Sequence, residues 1–79
     1  MSTKYYCGKR KNGDVVEGKI YTYMKDYYNC SVYINHKTLL RPPSALSDFD
    51  EMHKAMLALA GTQMREVSYS EYISMKPYL

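Results

Sequence analysis

The chain has 79 residues, a net charge of +3 and a hydrophobic fraction of 46%, with ten tyrosines, one phenylalanine and no tryptophan. That length allows one small core, burying about 60–65% of the surface the unfolded chain exposes, and the composition argues against a disordered chain. No apolar run approaches the ~18–20 residues of a membrane span, and Met1-Ser2-Thr3-Lys4 precedes no signal-like apolar stretch. A single compact domain over residues 1–79, cytoplasmic and without membrane contact, is the expectation.

Lys4-Tyr5-Tyr6-Cys7 reads as a short strand, ended by Gly8 and the basic cluster Lys9-Arg10-Lys11. Asn12-Gly13 is the strongest local signal, because both residues take the positive φ that a type I′ hairpin turn demands. The returning strand starts at Val15. Gly18 is expected to bulge or bend it before Ile20-Tyr21-Thr22-Tyr23-Met24, which would reset the inward-facing side chains. Lys25-Asp26-Tyr27 connects to a third strand over Tyr28 to Asn35. Here Tyr28, Cys30, Val32 and Ile34 share one face, and Asn29, Ser31, Tyr33 and Asn35 share the other, so the sheet is covered on one side only.

Asn35-His36-Lys37 turns the chain into Thr38-Leu39-Leu40, which Pro42-Pro43 stops because proline lacks the ladder donor. Ser47 is a candidate N-cap, with Asp48, Asp50 and Glu51 in the first turn where the orphan amides favour negative charge. Phe49, Met52, Met56, Leu59 and Ala60 recur at helical spacing, with Gly61 as C-cap, predicting one main helix over 48–60. Met64 to Tyr69 predicts a last strand, with Val67 and Tyr69 on one side. Residues 71–75 suit either a strand or one helical turn. Tyr72, Ile73, Tyr78 and Leu79 are too apolar for a casual terminus, so the tail docks on the domain or meets a partner.

The fold class that follows is α+β: an antiparallel sheet of 3–5 strands with one main helix packed on one face. Its expected core is Cys30, Val32, Ile34, Phe49, Met52, Met56, Leu59 and Val67. Cys7 and Cys30 are too few for a disulfide framework, and two buried thiols are expected.

Catalytic chemistry is sparse. The sequence has no Gly-rich phosphate loop, nucleophile elbow or close metal-chelating pair. Cys7, Cys30, His36 and His53 are too widely spaced for a recognisable zinc set. A Cys30 nucleophile with His36 or His53 lacks any specified orienting group or oxyanion donor. No catalytic residue, no metal site and no cofactor are expected.

Two binding readings remain. Tyrosine joins a rigid apolar ring to a hydroxyl, which suits contact surfaces. The first reading is a non-enzymatic protein-interaction module using Tyr21, Tyr23, Tyr33, Tyr72 and Tyr78, with another protein or a second copy of the chain as partner. Chains of this size class act as regulators, inhibitors or accessory subunits, including virus-encoded ones. The second reading starts from charge. Residues 1–41 carry eight Lys/Arg against three Asp/Glu, and residues 42–79 carry three against five. Lys4, Lys9, Arg10, Lys11 and Lys19, interleaved with Tyr6, could neutralise phosphates and stack bases. Lysine-rich edges also resist edge-to-edge aggregation, which is the plainer account of the same residues. The order Tyr-rich strand, basic turn, strand, strand, helix over residues 4–60 resembles, in element order, the small arm-binding domains of tyrosine integrases. That resemblance implies a nucleic-acid partner.

Overall fold

The computed structural model describes residues 3–74. The elements run β1 (Lys4–Lys9), β2 (Val15–Tyr23), β3 (Tyr27–Ile34), β4 (Thr38–Leu40), α1 (Phe49–Ala60), β5 (Arg65–Val67) and α2 (Tyr69–Ser74). All five strands form one antiparallel sheet in the order β4-β3-β2-β1-β5. Helix α1 lies on one face, against β2 and β3. This is the α+β architecture that the sequence predicts.

The alternation in β3 holds as expected. Cys30 and Val32 are buried beneath α1, and Tyr28 and Ile34 flank them. In β2 the sequence misleads. Gly18 makes no bulge: the register runs unbroken from Val16↔Ile34 to Tyr23↔Tyr27, and Gly18 pairs with both Tyr6 and Val32. Its role is to admit α1, since a Cβ there would lie 2.8 Å from Met56 Sδ and 3.0 Å from Met64 Cε. With the register intact, Val16 and Ile20 face the helix, and Val15, Glu17, Lys19, Tyr21 and Tyr23 face the other way.

The first turn is not the type I′ turn expected. Arg10 N donates to Asp14 O at 2.8 Å and Gly13 N to Arg10 O at 2.9 Å. Gly13 has φ 95° while Asn12 is not left-handed. That is a three-residue loop with glycine in the bulge position, not a type I′ turn. The I′ pattern falls at Asn35-His36, with φ values of 52° and 58° and Lys37 N donating to Ile34 O. The two turns are joined. Asn35 N donates to Val15 O, Val15 N donates to Asn35 Oδ1, and Asn35 Nδ2 donates to Asp14 Oδ1.

The N-cap of α1 is Asp48 rather than Ser47; its carboxylate accepts from Asp50 N and Glu51 N. A carboxylate accepts from the orphan amides as a hydroxyl would, and its negative charge also meets the positive end of the helix dipole. Gly61 closes the helix in the left-handed conformation, and Arg10 Nε donates to Ala60 O at 2.7 Å.

Tyr6, Val16, Ile20, Cys30, Val32, Met52, Met56 and Ala60 form the core. Phe49, Ile34 and Leu59, expected in the core, are half-buried and pack against its margin. Val67 is buried but lies on the face away from α1, opposite Tyr5. The final strand ends at Val67, and Tyr69 opens α2 instead of extending it. Along the open side of α1, rings step from Tyr6 to His53 (5.2 Å), Phe49 (6.4 Å) and Tyr28 (5.4 Å, edge-on).

Two outcomes follow. Met56→Ala should lose about 2–5 kcal/mol in urea unfolding, and Phe49→Ala should lose less, because its half-open site removes less apolar surface from water. A larger loss for Phe49→Ala would contradict this placement. Asp14 is held below the usual carboxylate range by hydrogen bonds from Asn35 and then Asn12, with Arg10 adding a smaller effect. A depressed folded pKa stabilises above the unfolded value of about 3.9 and is lost as pH falls through the folded one. Unfolding followed below about pH 4 should therefore show a loss of stability that Asn35→Ala makes shallower.

Candidate interaction surface

The face opposite α1 carries Tyr5 and Cys7 from β1, Glu17, Lys19, Tyr21 and Tyr23 from β2, Tyr27, Asn29, Ser31 and Tyr33 from β3, and Arg65 and Val67 from β5. Of the described elements, only α2 lies on it, at the β1 end. Tyr5 meets Tyr69 at 5.1 Å and Tyr72 at 4.9 Å between ring centroids, and Arg65 pairs with Glu71 at 2.6 Å. Residues 69–74 are therefore held as a short helix by aromatic contacts and one exposed ion pair.

The far end of the face is a two-stranded ribbon. Pairing between β1 and β2 ends at Lys4↔Ile20, and β4 pairs only with Val32, Tyr33 and Ile34. Tyr21, Thr22 and Tyr23 continue against Asn29, Tyr28 and Tyr27 without a strand beyond β2 among the described residues. Among the described residues, three residue pairs carry the ribbon about 10 Å past the start of β1 at Lys4, and on the β3 side Leu46 exchanges two backbone hydrogen bonds with Tyr28. At its tip Tyr23 and Tyr27 stand opposite each other, 46% and 47% exposed, and Met24 is 76% exposed in the left-handed conformation. Leu46 bridges Tyr28, and Asn29 Oδ1 accepts from Cys30 N.

Between α2 and the β3–β4 turn is a hollow of about 300 Å³ lined by Glu17, Lys19, Tyr33, His36 and Tyr72. Glu17 is 2% exposed, and the His36 Nδ1–H faces its Oε1. Burial, and then the Glu17 carboxylate, push the Tyr72 phenol up. Lys19 Nζ lies 5.9 Å from the centre of the Tyr21 ring.

Of the tyrosines marked in the sequence, Tyr33 and Tyr72 meet at this hollow, and Tyr21 and Tyr23 lie along the same face on the ribbon. Tyr78 is outside the described residues. Sequence reading missed Tyr27, Met24 and Glu17. Unbroken period two through Gly18 was the signal that could have placed Glu17 between Val15 and Lys19 on this face.

The basic set is dispersed. Tyr6 is 5% exposed and packed on His53, so it presents no face to a base. Arg10 is engaged by Ala60 O and, at 3.7 Å, by Asp14. Lys4 lies 3.9 Å from Glu66 and over the Phe49 ring on the helix side. Lys9 ends β1, Lys11 sits in the turn, and Lys19 is on the opposite face. Cys7 and Cys30 face opposite sides of the sheet, both as free thiols. Cys30 is fully buried in the core and His36 is bound to Glu17 on the opposite face of the sheet, so Cys30 and His36 do not pair; His53 packs on the rings of Tyr6 and Phe49.

No protein-family model, no curated protein and no solved structure matches this chain.

Burial pushes both thiols up, to about 11 for Cys7, where Glu17 adds to the effect, and to about 11 for Cys30. In native protein at neutral pH both should resist a thiol reagent and react together on unfolding. Rapid labelling of Cys7 in the folded protein would contradict its placement.

Proposed function

We propose that the chain is a small non-enzymatic protein-interaction module, a regulator, inhibitor or accessory subunit, that engages another protein through its aromatic sheet face. The ribbon tip is the leading contact. The observation that carries this reading is the exposure of Tyr23, Met24 and Tyr27 at the ribbon tip, with the half-buried Tyr21 behind them on the same face, where their surface contributes little to the core. Rigid aromatic side chains bury large areas at low entropic cost, and a convex tip fits a concave site on a partner. Tyr33 and Tyr72, further along the face, would extend the contact toward the Glu17 hollow.

The nucleic-acid reading is supported less well. Two of its six residues are committed to the fold, Tyr6 by burial and Arg10 by the end of α1. The remaining lysines lie on both faces and at one turn rather than on one stripe. The plainer account, a solvated and aggregation-resistant hairpin, fits them.

Affinity capture with wild type and with Tyr21→Ala/Tyr23→Ala/Tyr27→Ala separates the possibilities. The triple variant should retain its circular-dichroism spectrum and lose the recovered partner; identical recovery would reject the ribbon. Sedimentation across concentration identifies a second copy as the partner. In parallel, titration against single- and double-stranded DNA and RNA should give no binding at physiological salt. Tight binding that weakens steeply with salt would restore the nucleic-acid reading, since counterion release gives that dependence.

A further inference from the structure

We propose that Asn12-Gly13 is a site of spontaneous amide-to-acid conversion that the β1–β2 turn holds shut, so that the chain is modified when this turn opens. The chemistry needs only a base and water. The Gly13 amide nitrogen, deprotonated, forms a bond to Asn12 Cγ; the Cγ–Nδ2 bond breaks and ammonia leaves. Water then opens the resulting five-membered imide at either carbonyl, giving aspartate or isoaspartate at position 12. Glycine at position 13 matters because no side chain screens the attacking nitrogen. Lys11, Asn12 and Gly13 are all exposed, so solvent reaches the reacting atoms.

The native turn opposes each part of this reaction. The nucleophile is occupied, because Gly13 N donates to Arg10 O at 2.9 Å. The electrophile is fixed at both ends: Asn12 Nδ2 donates to Asp14 Oδ2 at 3.0 Å, and Asn12 Oδ1 accepts from Asp14 N at 3.0 Å. Attack requires the side-chain carbonyl to swing toward Gly13 N, which breaks both Asp14 contacts. Opening then precedes reaction, and the rate follows the population of the open turn.

The product would damage the contact that protects the site. Conversion replaces the Nδ2 donor with a carboxylate oxygen facing the Asp14 carboxylate. Asp14 also accepts from Asn35 Nδ2, and Asn35 Oδ1 accepts from Val15 N. Repulsion at position 12 is thereby transmitted to the joint between the β1–β2 and β3–β4 turns. An isoaspartate adds a backbone carbon to a loop whose Arg10 N must still reach Asp14 O at 2.8 Å. A chain that has spent time open is thus marked irreversibly, and refolds with this end of the sheet loosened.

The test compares wild-type protein incubated natively and in urea at the same mildly alkaline pH, with peptide mass spectrometry locating the conversion. In urea, Asn12 should convert faster than Asn29 or Asn35, whose following residues are Cys30 and His36. Native protein should convert at Asn12 about tenfold or more slowly than unfolded protein, the ratio for an opening free energy of ~1.4 kcal/mol. Asp14→Ala should bring the native rate toward the unfolded one; if that variant does not fold, the wild-type comparison alone decides. Equal native and unfolded rates at Asn12 would overturn the proposal. Asn12→Asp, which reproduces one product, should speed amide exchange at Val15 and Asn35 severalfold and leave the Tyr23–Tyr27 end unchanged. Unchanged exchange at Val15 and Asn35 would overturn the proposed loosening.

Discussion

Helix α1 meets the sheet at a position that has no side chain. Gly18 is in the middle of β2, and Met56 and Met64 fill the space where a Cβ would be. This close approach seats the helix over β2 and β3 and buries Val16, Ile20, Cys30 and Val32 against Met52, Met56 and Ala60. It also commits α1 to one face. Because the strand continues through Gly18 without a bulge, its remaining side chains sort into two sets. One is apolar and lies beneath the helix; the other contains Glu17, Lys19, Tyr21 and Tyr23.

Much of the architecture was legible in the sequence because it rests on local patterns. Clean alternation in residues 28–34 placed β3, and the apolar stripe with Gly61 placed α1 to within one residue. What escaped depends on tertiary contact. A strand glycine is compatible with a bulge or with a close approach, and only the packing of Met56 decides between them. Asn12-Gly13 and Asn35-His36 both carry turn-forming residues. Which turn becomes type I′ is set by strand register and by the Asn35–Val15 contacts, not by either dipeptide alone. Tyr69 fits a strand by propensity, yet it packs beside Tyr72 on Tyr5 and so favours a helix.

The candidate surface was half legible for the same reason. Tyr33 followed from the period of β3, and Tyr21 and Tyr23 were marked as outward-facing although the supposed bend left their side uncertain. Tyr27 reads as connection and Met24 as the end of a strand, since nothing in composition shows where the β2–β3 ribbon turns. Glu17 was hidden by the same bend. Its burial opposite Tyr33 and against His36 places an acidic side chain on a largely aromatic face, where His36 Nδ1 gives Oε1 a polar partner away from water. Arg10 shows the converse case. A cation that reads as a phosphate contact serves as a cap at the negative end of α1.

This division of labour between the two faces is most directly tested by urea unfolding of Gly18→Ala and Tyr23→Ala in parallel with wild type. A Cβ at Gly18 would meet the ends of the Met56 and Met64 side chains, and because Met56 is fully buried with little room to give, Gly18→Ala should cost about 1–3 kcal/mol, the range for overpacking a closed core. Tyr23→Ala removes one exposed cross-strand partner and should cost less than about 1 kcal/mol. The opposite order, with Gly18→Ala neutral and Tyr23→Ala strongly destabilising, would show that the ribbon holds the fold together and would contradict the account.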